Sequence, residues 1–178
     1  MTQCSIHKLS KRARLLTISQ ISTPQDIADV RDLVIEFTTW AISLDPDEAP
    51  PTFDNLEREL ATLPGDYGPP TGCFLLARDD GRPVGCVAFK SHGGGTVELK
   101  RMYVRPDQRG KGTGQHLISA LIAQARAHNN RRIVLDSFHT MTSAHNIYRG
   151  LGFSDVPAPA DFPTSLLDKV VFMEMTLG

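Results

Sequence analysis

Arg105-Pro106-Asp107-Gln108-Arg109-Gly110-Lys111-Gly112-Thr113-Gly114 is the stretch on which the reading of this chain turns. Ahead of it, Thr96 to Val104 reads as a strand. Pro106 marks the strand's end, because a proline restricts both its own backbone and the residue before it. Behind it, Gly112 to about His128 reads as a helix, with Leu117, Ile118, Leu121, Ile122 and Ala125 in one apolar stripe. Glycines at 110, 112 and 114 let the backbone turn sharply and let amides approach a ligand with no Cβ in the way. Successive amides and a helix N-terminus converge on phosphate oxygens, and Arg109 or Lys111 adds positive charge. A glycine turn with a solvated basic flank is the plainer reading. The strand–turn–helix context favours an anion site.

Upstream, Leu15 to Ile21 alternates as a first strand. Thr23-Pro24-Gln25-Asp26 has the form of a helix start: a capping threonine, a proline at the first helical position and an acid at the positive end. Ile27, Val30, Val34, Phe37 and Ile42 follow at helical spacing until Pro46, Pro50 and Pro51. A short helix from Asp54 to Thr62 and a loop from Pro64 to Pro70 come next. Cys73 to Ala77 and Val84 to Lys90 read as a hairpin, since Asp80-Gly81 accepts the tight-turn dihedrals at low cost. Gly93-Gly94-Gly95 makes another turn. Downstream lie a strand from Arg132 to Asp136, a helix from Ser143 to Leu151 with Gly152 as its C-cap, and a last strand from Val170 to Leu177. The pattern predicts one mixed α/β (α+β) domain over residues 15–178, a central mixed β-sheet flanked by α-helices, after a flexible segment 1–14.

Composition narrows the function. Among 178 residues, 40% are hydrophobic and 22% charged, an ordinary soluble mixture. Nineteen basic against twenty acidic residues leave a net charge of −1, which gives no electrostatic footprint for nucleic acid. Met1 to Arg14 lacks the apolar run of a secretory signal, and no stretch reaches the roughly 20 apolar residues of a membrane helix. Cys4, Cys73 and Cys86 are few and widely spaced, as expected of reduced thiols in a cytoplasmic protein, with Cys86 a small core residue. Cys4 with His7 makes no site, and the six scattered histidines form no ligand cluster, so no metal is expected.

The phosphate ligand is narrowed by what the motif lacks. Lys111 is followed by Gly112 rather than Ser or Thr, which removes the magnesium-ligating hydroxyl of a nucleotide-binding P-loop. A dinucleotide fingerprint wants glycine at 115, where Gln stands, and its strand belongs in an opening βαβ unit. Arg109-Gly110-Lys111-Gly112-Thr113-Gly114 instead resembles the Arg/Gln-x-x-Gly-x-Gly/Ala signature of the GNAT superfamily of acyl-CoA-dependent N-acyltransferases. The resemblance extends through Glu98-Leu99-Lys100-Arg101-Met102-Tyr103-Val104, across the long helix, and into Ala144-His145-Asn146-Ile147-Tyr148-Arg149-Gly150-Leu151-Gly152-Phe153. It implies a GNAT-like fold, acetyl-CoA as cosubstrate and an amine as acceptor, with no metal. Backbone groups of Met102, Tyr103 and Val104 are then expected to hold the pantetheine arm. Arg109, Gly110, Lys111, Gly112, Thr113 and Gly114 receive the pyrophosphate, and a slot opens between strands ending near Val104 and Asp136. Neither nucleic acid nor a membrane is an expected partner; a homodimer is left open.

Acyl transfer to an amine needs a neutral amine and a proton for the departing thiolate. Tyr148 matches the family's helix tyrosine, the usual general acid, and a phenol with a pKa near 10 is matched to a thiol. Its plainer role is an aromatic anchor for the helix, and the two are compatible. Glu98 resembles the glutamate that some members use as a base, directly or through water; otherwise it is a solvated strand carboxylate or an ion-pair partner. Strict alternation puts Glu98, Lys100, Met102 and Val104 on one face and Leu99, Arg101 and Tyr103 on the other. Met141 stands where many members carry an asparagine that holds pantetheine. Trp40, Asp45, Asp47 and Glu48 fall where the family often borders its acceptor site. His92 and His139 are further candidates, as is Arg101 for a substrate carboxylate. A catalytically weak acyl-CoA sensor remains the alternative to an enzyme, ahead of a nucleotide-dependent activity.

Overall fold

Along Cys73–Asp79, Phe74 and Leu76 point one way and Cys73, Leu75 and Ala77 the other, and all are buried. A strand apolar on both faces needs cover on both, which places it in the middle of three layers. The computed structural model describes residues 15–44 and 55–178. Strands β1 (Leu16–Gln20), β2 (Cys73–Asp79), β3 (Arg82–Gly93), β4 (Thr96–Val104), β5 (Arg132–Phe138), β6 (Ser154–Val156) and β7 (Val170–Thr176) form one sheet, in the order β1-β2-β3-β4-β5-β7-β6. Helices α1 (Pro24–Leu44) and α2 (Leu56–Thr62) cover one face, packing on Phe74, Leu76, Cys86, Ala88 and Tyr103. Helices α3 (Thr113–Ala127) and α4 (Thr142–Gly150) cover the other; the whole stripe of Leu117, Ile118, Leu121, Ile122 and Ala125 is buried there.

The expected mixed sheet with flanking helices is therefore present, with local differences. The hairpin strands β2 and β3 run longer than their apolar cores, and the Pro64–Pro70 loop contains a 3-10 turn, Gly65–Tyr67, that buries Tyr67. The three-residue β6 lacks any apolar alternation that would have announced it. Pro46, Pro50, Pro51, Asp54 and the segment 1–14 lie outside the described residues.

Every neighbouring pair of strands is antiparallel except β4 and β5. Parallel strands cannot be joined by a tight turn, and α3 supplies the crossover between them.

β4 departs from strict alternation. Cys86 pairs with Tyr103 and Ala88 with Lys100, so a two-residue step on β3 faces a three-residue step on β4. The extra residue makes a β-bulge in which Arg101 takes a left-handed φ of 55°. The face assignment from alternation is corrected accordingly. Leu99 shares the α3 face with Met102 and Val104, whereas Glu98, Lys100 and Tyr103 share the α1 face.

The start of α1 follows its sequence signal closely. Thr23 Oγ1 accepts from the Asp26 N–H at 3.1 Å, and Asp26 Oδ2 accepts in return from the N–H groups of Ser22 and Thr23, each at 3.0 Å. Arg78 on β2 reaches the other Asp26 oxygen at 2.9 Å. The Ser22 amide, with Thr23 and Arg78, holds the Asp26 carboxyl down at about 2 against the opposing effect of burial. A carboxyl depressed in the folded chain stabilises fully above its unfolded value near 4 and loses that contribution as pH falls through its folded value. Urea titrations of Asp26→Asn should show lower stability at neutral pH and a flatter stability curve between about pH 4 and 2 than the parent.

Candidate active site

β4 and β5 pair only at Thr96↔Arg132, Val97↔Ile133 and Glu98↔Val134, although the strands run on to Val104 and Phe138. Beyond that point their facing edges part and leave a slot. The bulge at Arg101 explains the parting, because a bulge adds twist and bends its strand away from the next one. Arg101 is buried and its guanidinium is bidentate on Glu59 of α2, at 2.6 and 2.7 Å, with Tyr67 Oη donating to the same carboxylate at 3.0 Å. Its expected candidacy for a substrate carboxylate gives way to this role: the side chain is spent in fixing the bulge.

The cradle lies where β4 ends. A 3-10 turn, Pro106–Gln108, leads to Gly110 and Gly112, whose φ angles of 73° and 83° are left-handed positions that other residues take only at a cost. The first bond inside α3 runs from His116 N–H to the Gly112 carbonyl at 3.0 Å. The N–H groups of Thr113, Gly114 and Gln115 therefore project beyond the helix start, as an anion site requires. Gly114 does something different from its two neighbours in the motif. A Cβ there would meet Met102 Cε at 3.2 Å and Ile147 Cδ1 at 3.3 Å, so its bare backbone lets α3 close onto β4 and α4.

Arg109 is anchored. Its Nε donates to the Val104 carbonyl at 3.0 Å, and its guanidinium lies 4.7 Å from the Trp40 ring centre and 5.9 Å from that of Tyr103. Trp40 and Tyr103 also pack on each other and on Phe37. Trp40 thus ties α1 to the root of the cradle, and the Tyr103 side chain belongs to the α1-side core while Met102 and Val104 turn toward α3. Lys111 is exposed on the turn, with Nζ 3.4 Å from Gln108 Oε1.

Tyr148 is buried on α4, in the core beneath α3. The helix ends in a double hydrogen-bonded turn: Gly152 N–H donates to the Arg149 carbonyl at 3.0 Å and Phe153 N–H to the Tyr148 carbonyl at 3.1 Å. Gly152 takes the positive φ of 103° that this closure needs. The turn brings the Phe153 ring within 5.6 Å of the Tyr148 ring, centre to centre, and fixes the tyrosine in place. Burial, reinforced by the nearby Asp136 charge, pushes the phenol above its ordinary value, so Tyr148 keeps its proton throughout the neutral range.

A run of charges crosses the point where the strands part. Lys100 Nζ stands 2.7 Å from Glu98 Oε1 and 2.6 Å from Asp136 Oδ1, and Lys90 Nζ lies 3.4 Å from Glu98 Oε2. Burial alone raises the Glu98 pKa, but Lys100 and then Lys90 outweigh it and hold the carboxyl below its ordinary value. Glu98 also lines an open polar depression of about 440 Å³, with Asp66, Thr71, Lys90, Ser91 and His92. Sequence reasoning singled out Glu98 and His92 but assigned no role to Lys100 and Asp136; Lys100 is one of three charged residues in β4, with Glu98 and Arg101, and Asp136 follows the short apolar run 133–135 of β5. The same reasoning overlooked His145, a buried ring whose Nε2 lies 3.1 Å from Ser137 Oγ and whose pKa burial pushes down.

The remaining candidates are not gathered at this place. His139 bonds the Lys169 carbonyl at 3.1 Å in an exposed position. The Met141 carbonyl accepts from Ala144 and His145 at the start of α4. Asp45, Asp47, Glu48, Cys4 and His7 lie outside the described residues. Cys73 and Cys86 are buried thiols, each pushed up to about 12, and Cys86 Sγ donates to the Arg101 carbonyl. Among the described residues, no group of His, Cys, Asp or Glu is placed to hold a metal, and no helix is long and apolar enough to cross a membrane.

The acetyltransferase (GNAT) family model matches residues 29–153. A Schizosaccharomyces pombe protein named as an uncharacterized N-acetyltransferase is 35% identical over 166 residues, covering 92% of this chain and 96% of that one. Human N-acetylaspartate synthetase is 40% identical over 105 residues, which cover 58% of this chain and only 35% of the human protein. Among solved structures, the PaiA N-acetyltransferase of Thermoplasma acidophilum, in complex with coenzyme A, superposes with a TM-score of 0.71 at 15% identity, covering 91% of this chain and 99% of that one. A GNAT-family acetyltransferase of Staphylococcus aureus gives 0.72 at 18% identity, with 92% and 100% covered. At such identities the two structures establish the fold.

The closure of α4 is open to a direct check. Gly152→Ala places a Cβ at a φ of 103°, and the nearest obstacle is the flexible end of Met175. Backbone strain is then the main penalty, and urea unfolding should register a loss of about 1–2 kcal/mol.

Proposed function

Because the chain belongs to the acetyltransferase (GNAT) family, we propose that it transfers the acetyl group of acetyl-CoA to a primary amine of a small molecule or peptide. The transfer is direct, without an acyl-enzyme, and Tyr148 is the general acid. The observation that carries this reading is the parting of β4 and β5 beside a glycine-built helix start. One edge of the slot suits an extended pantetheine, and the amides at its end suit a pyrophosphate. The likeness to N-acetylaspartate synthetases, named for a product that carries an acetylated amine, supports an amine acceptor.

In this reading the backbone of Met102, Tyr103 and Val104 pairs with the pantetheine amides along the open edge of β4. The pyrophosphate lies on the turn from Arg109 to Gly114, where the amides of Thr113 and Gly114 point outward and Lys111 adds charge. Arg109 contributes by bracing the turn against Val104, Trp40 and Tyr103. The acceptor enters from the depression beside Glu98. Glu98, directly or through water, takes the proton that leaves the ammonium form of the acceptor, and the freed lone pair attacks the thioester carbonyl. As the C–S bond breaks, the electron pair goes to sulfur and Tyr148 Oη supplies its proton; the second proton of the attacking nitrogen, shed as the amide forms, passes to solvent, and solvent restores the phenol. A phenol held above its ordinary pKa is a donor at neutral pH, and burial in a cleft strengthens the hydrogen bond to a developing thiolate.

Two measurements bear on this directly, with acetyl-CoA and a pool of amino acids, polyamines and short peptides as acceptors and free-thiol release and product mass as the readout. Tyr148→Phe keeps the contact with Phe153 and removes the hydroxyl, and single-turnover rates should fall by roughly 10²–10⁴-fold. A chemical step at the parent rate would remove Tyr148 from the mechanism. Gly112→Ala sets a methyl group on the cradle at a left-handed φ; calorimetry should show coenzyme A affinity reduced by about tenfold or more, the range set by losing one or two charge-assisted hydrogen bonds.

A further inference from the structure

Lys100 is the next residue but one after the last paired position of β4, and Asp136 stands in the same place on β5. Continuation of the register would have put the two side by side. The backbones separate instead, and the side chains span the opening at 2.6 Å. Lys100 also holds Glu98 at 2.7 Å, and its side chain is only 16% exposed.

We propose that Lys100 is a positioning residue of the acyl-transfer site, a clasp that ties the parted edges of β4 and β5 and holds the Glu98 and Asp136 carboxylates in fixed places across the mouth of the slot. This rests on the reading of Glu98 as the proton acceptor. The groups around Glu98 are Lys90 and His92 from β3, Lys100 from its own strand, Asp136 from β5 and Asp66 beyond α2; Tyr148 of α4 lies near Asp136. Of these, Lys100 makes the shortest contact with Glu98 and the one least exposed to solvent. Without it, a partly buried carboxylate keeps only a longer contact to Lys90, and its pKa rises. A base that works in its ionised form then loses activity at a higher pH. The pantetheine and pyrophosphate contacts lie elsewhere, so coenzyme A binding is untouched.

Full-length Lys100→Met, Lys100→Arg and Lys100→Met/Asp136→Asn proteins test this, the last because it removes the carboxylate that Lys100→Met leaves unpaired and so protects against a folding failure. Two readouts apply. One is the carboxyl ¹³C titration of Glu98 with coenzyme A bound, assigned by its loss in Glu98→Gln. The other is the pH–rate profile with acetyl-CoA and the pooled amino acids, polyamines and peptides. Removing Lys100 should raise the Glu98 midpoint and the acid limb of the rate profile together by about 1–2 pH units. It should lower turnover at neutral pH about 10–100-fold, as for a misplaced reacting group, with coenzyme A affinity at the parent value. Lys100→Arg should return the limb toward the parent position. A Glu98 midpoint that stays put in Lys100→Met against the parent, or in Lys100→Met/Asp136→Asn against Asp136→Asn alone, overturns the clasp, as does an arginine variant no better than methionine. A Glu98→Gln enzyme with the parent's profile would instead overturn Glu98 as the base, and the carbon titration would still decide the role of Lys100.

Discussion

The ion pair between Arg101 and Glu59 holds open the bulge on which the site depends. A non-glycine residue at a φ of 55° sits in the sparsely used left-handed region, at a cost on the order of 1–2 kcal/mol. Regular alternation is the cheaper course for β4, and it would prolong the pairing with β5. Two charge-assisted bonds from a buried guanidinium, with Tyr67 completing the carboxylate's partners, offset the strain. Glu59 comes from α2 and Tyr67 from the turn after it, so elements outside β4 and β5 help to decide whether the slot exists. The opening between β4 and β5 is a consequence of packing on the α1 side of the sheet.

Parting two strands exposes backbone N–H and C=O groups that a sheet normally pairs. The cost is tolerable only where water or a ligand takes their place. β5 meets it on one side by pairing with β7 along its full length, and β4 by pairing with β3. The facing edges are left to the slot. An extended molecule with amides of its own is the natural complement, which is why the proposed pantetheine contact falls on Met102 to Val104. The bulge contributes here too. It turns Met102 and Val104 toward α3, where Gly114 lets the helix close down, and Tyr103 toward α1, where its ring packs at a tilt against Trp40 beside Arg109. Strand edge and glycine turn are thereby fixed to one another through side chains on opposite faces of the sheet.

Much of this was legible in the sequence, for definite reasons. The stripe from Leu117 to Ala125 had one period and one burial partner, so both its helix and its face could be read. Thr23 to Asp26 carried its own cap. The stretch from Arg105 to Gly114 announced its turn because left-handed glycines have few other uses. The face assignment of β4 failed because a bulge is a tertiary feature: nothing local to Lys100-Arg101-Met102 says that one residue will be left over when β3 and β4 pair. Arg101 illustrates the same limit. Its charge suggested a ligand, and only the fold shows Glu59 already there, 42 positions earlier in the chain. Lys100 and Asp136 were given no role because each is an ordinary charged residue until the strands bring them together.

Tyr148 shows why the structural and chemical readings of one residue need not compete. A helix that closes through a left-handed glycine directs its third-last residue against the residue after that glycine. In this chain the two are Tyr148 and Phe153, and their contact locks the phenol with no help from a ligand. The spacing of Tyr148, Gly152 and Phe153 is thus sufficiently explained by helix termination. What termination does not require is a hydroxyl, since phenylalanine would make the same ring contact. Nor does it require a carboxylate near that hydroxyl, and Asp136 is close enough to raise its pKa. A purely structural ring would be better buried without either. The packing fixes where the ring is, and the polar atom it carries into the core, within reach of the Asp136 charge, is the part that needs a chemical reason.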